Sequence, residues 1–199
     1  MDKGRLEAFS DGVIAVAITL LVLNLVVPDP GRTQNLAHAL GQRWPGYVAY
    51  VISFLTIGII WVNHHAMIGR LREADHTILL LNLVLLLTIG LLPFATNLMA
   101  TYLRAAHGEH VAAAVYAGAF LLMGCSFAIL NRHILFAKAH LLETQLDSGR
   151  RRLILFRSVS GLAPYVVAVA VAPLSAYATI AICGVLAAFY ATPLATGGT

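Results

Sequence analysis

The first apolar segment of the chain carries polar residues at two kinds of position. Arg5 and Asp11 lie near its start, and Thr19 lies in its middle among aliphatic neighbours. A polar group left unpaired in lipid is costly, so membrane helices keep such groups where they face protein or water. This first segment is therefore the candidate for the functional helix.

One face of this helix forms a narrow aliphatic stripe that is interrupted by a single hydroxyl. At about 100° per residue, Ser10 and Asp11 fall off that face, toward the back of the helix. If several copies met around an axis, the stripe would line a narrow, mostly dry pore, with a ring of oxygens that replaces part of an ion's hydration shell. The alternative is a packing seam in which Thr19 bonds to its own helix backbone. The stripe residues are Gly12, Val16, Thr19 and Leu23.

A second polar cluster, at the end of the second apolar segment, begins at Trp61 and ends with His64 and His65. Adjacent histidines project about 100° apart on a helix, so they cannot easily bind one metal together. No cysteine or carboxylate stands at ligand spacing on that helix, and we predict no metal site. The preferred interpretation is a structural network at one membrane face that also contains Arg5 and Asp11.

The composition indicates an all-α integral membrane protein with one domain over residues 1–199. Hydrophobic residues make up 59% of the chain and charged residues 11%, whereas soluble domains carry about 25% charged residues. The net charge of +4 is distributed between apolar runs. Lipid headgroups and membrane topology explain such a distribution, and we predict no nucleic-acid partner.

Six apolar windows are long enough to cross a bilayer, which takes about 20 residues. If the N-terminus is cytoplasmic, only Arg32, Arg43 and Arg104 fall outside, and the other ten of the thirteen Lys and Arg residues lie inside. The positive-inside rule then predicts six transmembrane helices in the cell membrane with both termini cytoplasmic. The predicted windows are Leu6–Val27, Pro45–Ile68, Thr77–Leu103, Val111–Leu130, Leu153–Val171 and Leu174–Leu194.

Three motifs resemble the transmembrane protein 175 family of endosomal and lysosomal potassium channels. The first-helix signature is Arg5-x-x-x-Phe9-Ser10-Asp11, followed by Gly12-Val-Ile-Ala and Thr19-Leu-Leu-Val-Leu. The second and third helices of the family are matched by Trp61-x-x-His64-His65 and by Asn82 with Leu92-Pro93-Phe94. The resemblance covers about residues 5–96 by motif. By length and helix count the chain is similar to the one-repeat, six-helix prokaryotic members.

The resemblance implies a homotetrameric potassium-permeable cation channel, with no enzyme activity and no cofactor, whose pore is lined by four copies of the first helix. Val16 and Leu23 would be hydrophobic constrictions, and Thr19 would be the hydroxyl layer that favours potassium over other monovalent cations. Selectivity would be modest, because a strict filter uses stacked carbonyl rings. The supporting network behind the pore helix would comprise Arg5, Ser10, Asp11, Trp61 and His64 or His65.

Two departures from the family pattern concern the tightness of the gate. Val16 stands where a longer Leu or Ile is usual, and Ile68 stands where Phe usually follows the His-His motif.

Two other classes of function stay open from the residues alone. A secondary transporter or proton-leak pathway would need a titratable group or a broken helix at the midplane, and a membrane redox or metal protein would use His64 and His65.

Overall fold

A computed structural model describes residues 3–31, 35–105 and 107–192. Within these ranges the chain is helical, and the only strand-like pairing is an isolated antiparallel bridge between Leu71 and Leu142. Helices satisfy their own backbone groups, as the interior of a bilayer requires. The helices are α1 (Lys3–Leu20), α2 (Leu36–Gln42), α3 (Trp44–Gly69), α4 (His76–Gly90), α5 (Leu92–Tyr102), α6 (Glu109–Arg132), α7 (Ser148–Ser160), α8 (Ala163–Val171) and α9 (Ala176–Ala191).

Local sequence signals explain where several helices begin. The side chains of Asp75, Asp147 and Ser175 accept hydrogen bonds from backbone N–H groups in the first turns of α4, α7 and α9, at 2.9, 3.0 and 3.2 Å. Such caps satisfy donors that have no partner inside the helix. Prolines stand in the first turn of α3, α5 and α8, where a missing N–H costs nothing.

Five segments of the described chain are long and apolar enough to cross a membrane. The helix α9, with 16 residues, is about 24 Å long, which is shorter than a hydrocarbon core of about 30 Å. The predicted all-helical membrane class is therefore confirmed, whereas the sixth span and the cytoplasmic termini stay predictions. The five segments are Lys3–Asn24, Trp44–Gly69, His76–Tyr102, Glu109–Ala137 and Ser148–Val171.

The third span is broken where α4 ends and α5 begins. The break is at Leu91, two residues before Pro93, because proline supplies no N–H and its ring clashes with the preceding turn. A broken helix in a membrane persists where neighbouring groups occupy the freed backbone. Next to the break, the Asn24 side-chain amide donates to the carbonyl of Pro93 itself at 3.1 Å, and this bond ties the end of the first span to the first turn of α5.

The first helix is shorter than predicted. The sequence predicted a helix to Val27, but α1 ends at Leu20 and continues as a 3-10 turn over Leu21–Asn24. Helix ends commonly tighten in this way, and a residue that precedes proline, here Val27 before Pro28, disfavours helix. Leu23 therefore lies on the 3-10 turn and Thr19 on the α-helix.

The helix α6 is the central element of the subunit. Half of its apolar window is buried, compared with 28% of the window that contains α1. Its Tyr116 and Phe120 rings pack edge to face with centroids 4.7 Å apart, and Phe120 contacts Tyr165 of α8. A Cβ on Gly124 would lie 2.5 Å from Leu162 Cδ2, so this glycine permits the close approach. The helix α1 is peripheral, and one of its faces is left exposed by the described part of the chain.

Candidate ion pathway and the polar clusters behind it

The stripe on the first span faces away from the rest of the subunit. Val16 is 56% exposed, Leu23 is 72% exposed, and Thr19 between them is also exposed. The opposite face packs against α3 and α4 with helical spacing. Its buried residues are Leu6, Ser10, Ile14, Ala17 and Leu21. The span thus has one packed face and one face that a single subunit leaves open.

The Thr19 hydroxyl donates its proton to the Val16 carbonyl oxygen at 2.9 Å. This is the bond that the packing-seam alternative expects. The bond is equally compatible with coordination of a cation by Thr19, because a hydroxyl has one proton and two acceptor lone pairs. With the proton used inside the helix, the oxygen is left as an acceptor on the exposed face.

A shallow apolar groove of about 550 Å³ runs along the exposed side of α1. Phe9, Val16 and Leu20 contribute its apolar walls, and Gly12 and Gly90 leave room for another side chain to approach. Its surface is almost entirely nonpolar, so it suits an apolar helix rather than a hydrated ligand.

Four side chains join the first half of α1 to the second half of α3, and we call them the entrance cluster. Trp61 Nε1 donates to Asp11 Oδ1 at 2.8 Å, and His65 Nδ1 lies 2.8 Å from Glu7 Oε1. The rings of Trp61 and His65 are in contact, with centroids 6.3 Å apart. The cluster therefore holds both carboxylates of α1 against one short stretch of α3.

Three members of the entrance cluster could hold a metal ion. Glu7, Asp11 and His65 each offer one ligand atom, and these atoms lie within 4.8 Å of one another. The sequence argument against a metal considered carboxylates on the histidine helix, whereas the fold brings them from α1. Each carboxylate already has a hydrogen-bonding partner in the described chain, Trp61 for Asp11 and His65 for Glu7.

A second set, which we call the buried triad, consists of Ser10, Asn82 and His64. All three are at most 1% exposed. The Ser10 hydroxyl donates to the Leu6 carbonyl at 2.8 Å, so it accepts from Asn82 Nδ2 at 3.0 Å. Asn82 Oδ1 then faces His64 Nε2 at 2.7 Å and can only accept.

This chain of bonds sets the tautomer of His64. Nε2 must carry the proton that Asn82 accepts, and Nδ1 is buried without a partner in the described part of the chain. A second proton on Nδ1 would leave a buried N–H unpaired, which is costly. The geometry therefore describes a neutral imidazole that acts as a structural donor.

The residues of the predicted network lie in two groups rather than one. Among the described residues, no hydrogen bond or ion pair joins the entrance cluster to the buried triad, and Arg5 is exposed and belongs to neither. Sequence reasoning missed Glu7 and did not include Asn82. A signal for Asn82 was present, because it is a polar residue inside a strongly apolar helix.

The match to a known protein family covers the region of the chain that contains the stripe and both polar clusters. A model of the family described as endosomal/lysosomal potassium channel TMEM175 matches residues 5–93. A potassium channel of Streptomyces collinus is 42% identical over 189 residues, which cover 95% of this chain and 91% of that protein. The chain belongs to the TMEM175 family. Members of the TMEM175 family are ion channels that need no cofactor, so the chain is not an enzyme.

Further TMEM175 relatives extend the match to the whole chain. A potassium channel of Chamaesiphon minutus is 38% identical over 96% of this chain and 94% of that protein. A crystal structure of a lysosomal potassium-selective channel TMEM175 homolog from Chamaesiphon minutus covers 98% of both chains, with 36% identity and a TM-score of 0.86. The mouse TMEM175, named as an endosomal/lysosomal proton channel, is 40% identical over 55% of this chain and 23% of its own length.

Proposed function

We propose that this TMEM175-family chain is one subunit of a potassium-permeable cation channel of modest selectivity. Four copies of the first span surround the pore, and the termini are cytoplasmic. The observation that carries the proposal is the open stripe on the first span, which is apolar except for Thr19 and which the described residues leave exposed. The names of the bacterial relatives, both potassium channels, support the same ion.

The spacing along the stripe suits a gate and a coordination layer. At 1.5 Å per residue on α1, Thr19 lies about 5 Å from the Val16 level, and with the 2.0 Å rise of the 3-10 turn it lies about 7 Å from the Leu23 level. Rings of Val16 and Leu23 exclude water by dewetting, and a ring of four Thr19 oxygens coordinates a partly dehydrated cation. The ion therefore meets two hydrophobic barriers with one polar layer between them.

The alternative is a secondary transporter or proton-leak pathway. Such a protein carries titratable groups near the bilayer midplane. Asp11 is the ninth of the 18 residues of α1, so it is the titratable group that such a pathway would use, but Trp61 of α3 donates to its carboxylate. Protein reconstituted into liposomes with a pH-sensitive dye in the lumen separates the two mechanisms. Under an inward proton gradient, a proton leak acidifies the lumen without a potassium gradient.

The first prediction concerns stoichiometry. Because a single α1 cannot enclose a path, the proposed pore requires copies related by closed rotational symmetry. We expect the purified protein in mild detergent to be a tetramer by native mass spectrometry. The groove between Phe9 and Gly90 offers each subunit an apolar surface for a neighbour. A stable monomer, or a dimer with no larger species, would contradict the pore model.

The second prediction concerns ion preference. We expect Thr19→Val, which keeps the shape and removes the oxygen, to lower the potassium-over-sodium permeability ratio in proteoliposomes. Thr19→Ser is the matched control, since it keeps a hydroxyl that can still donate to the Val16 carbonyl. Reversal potentials in mixed potassium, sodium and caesium provide the measurement. If both variants keep the wild-type ratio, Thr19 is a packing residue.

A further inference from the structure

Five arginines lie directly after α3 or on α7, and all but Arg157, which is in the last turn of α7, gather at the membrane face where α3 ends and α7 begins. Arg70 directly follows α3, and the other four lie on α7, as Arg150, Arg151, Arg152 and Arg157. Backbone hydrogen bonds hold the two regions together, since Glu143 N donates to the Arg70 carbonyl at 2.8 Å and Arg72 N donates to the Leu141 carbonyl at 2.9 Å. The fold thereby places Arg70 close to arginines that are 80 positions later in the sequence.

The charges of these arginines are offset only in part by the described part of the chain, where the Asp147 carboxylate lies beside Arg150 and Arg151 and its pKa is lowered by backbone hydrogen bonds and by their charge. No ion pair there includes any of the five, and the nearby carboxylates are engaged elsewhere: Glu73 with Arg72, Glu143 with Lys3, and Asp147 with the backbone N–H of Arg150. Burial, and then the positive charge of Arg150, lower the pKa of the half-buried Arg70 guanidinium. The guanidinium charges near the start of α7 therefore outnumber the one carboxylate, Asp147, that lies beside them.

The outer surface of α7 is apolar at its centre. Leu153, Phe156 and Val159 are 50%, 69% and 48% exposed and share one face at about 100° per residue. The opposite face contacts α6, where Asn131 donates to Ser158 at 2.8 Å. Arginine side chains edge the apolar face, an arrangement typical of a helix at the boundary between lipid headgroups and acyl chains.

The surrounding segment is also the least buried of the membrane-length segments in the described chain. Only 11% of the apolar window within Ser148–Val171 is buried inside the subunit. Its exposed apolar surface therefore needs a cover, and the arginines beside it need an anion. A lipid with a negatively charged headgroup supplies both within one molecule, whereas a free anion supplies only the charge.

We propose that Arg70 and Arg150 bind the phosphate of an anionic phospholipid whose acyl chains lie on the Leu153, Phe156 and Val159 face of α7. Guanidinium groups suit this ligand because their fixed fork of donors matches phosphate oxygens. A net negative lipid is required, because the ammonium of a zwitterionic headgroup would meet an already cationic surface.

The experiment titrates phosphatidylglycerol or phosphatidylcholine into the full-length protein in detergent and counts bound lipid by native mass spectrometry. We expect the wild type to retain phosphatidylglycerol preferentially, and Arg150→Gln to weaken its binding about fivefold, the effect of one arginine near an anionic surface. Arg70→Gln should act similarly, and Arg70→Lys should retain part of the binding. Arg43→Gln, just before α3 and so at its opposite end, is the matched control.

Three results would overturn the proposal. Equal retention of the two lipids would remove the charge requirement, and an equal loss in Arg43→Gln would remove the assignment to this face. Complete displacement of phosphatidylglycerol by inorganic phosphate would assign the arginines to a free anion instead. Because Arg150 is exposed, its substitution does not depend on the folding of a buried site. Ion flux is not measured, so the outcome is independent of the proposed channel activity.

Discussion

Leu23→Asn is expected to raise potassium flux from reconstituted protein by about tenfold or more, a barrier lower by about 1.4 kcal/mol. The side chain is 72% exposed on the 3-10 turn, so four copies would meet at the axis of the proposed pore. A narrow aliphatic ring excludes water, and an amide at the same position keeps it wet. Val16→Leu, which lengthens the other ring, should lower the flux.

The matched control for this substitution is Val22→Asn. Val22 belongs to the same 3-10 turn and is 49% exposed, and with three residues per turn its side chain points in a different direction from that of Leu23. Both variants place an amide in the same segment, so any general loosening of the turn affects them alike. Stopped-flow or dye-based potassium flux at equal protein density gives the comparison. A similar rise in both variants, or none in Leu23→Asn, would locate the gate outside this ring.

The second large effect is expected on stability. Asn82→Leu removes the acceptor of His64 Nε2 while leaving Ser10 bonded to the Leu6 carbonyl. His64 Nδ1 already has no partner in the described chain, so both ring nitrogens would then be buried and unpaired. Leaving a buried polar group unsatisfied costs about 1–3 kcal/mol. We expect a correspondingly lower midpoint of thermal unfolding in detergent.

A double-mutant cycle tests whether the loss arises from this bond. Asn82→Leu combined with His64→Leu removes both partners, so the double variant should lose less stability than the sum of the two single losses. Asn97→Leu, at an exposed position of α5, is the control for the change of amide to aliphatic side chain. Strictly additive losses would show that Asn82 and His64 stabilise the subunit independently.

The stripe and the membrane class could be predicted because both depend on local rules. Composition establishes an apolar protein, and a spacing of three and four residues places Val16 and Thr19 on one helix face whatever surrounds it. The motifs identified the family, and a relative that is 42% identical over 95% of the chain confirms it. The tetramer, the pore and the gate stay proposals, since a single subunit contains no partner that would test them.

The helix end and the polar partners could not be predicted, because they depend on contacts between distant segments. The 3-10 turn after Leu20 is held by Asn24 against Pro93, which is 69 positions away. The predicted network was assembled from residues near one membrane face, but hydrogen bonds require specific atoms to meet. In the structure, Asn82 of α4 belongs to the buried triad and Glu7 to the entrance cluster, whereas Arg5 belongs to neither.

The bond between Asn24 and the Pro93 carbonyl has a mechanical consequence. Leu23 is adjacent to Asn24, so a swing of α5 about the break at Leu91 would drag the Leu23 side chain with it. Thr19 lies one turn earlier on α1, which the bond between Asn82 and Ser10 of the buried triad fastens to α4. Thr19 would therefore stay in place. In the proposed channel, opening and ion discrimination thus depend on different contacts, and a mutation could change either one without changing the other.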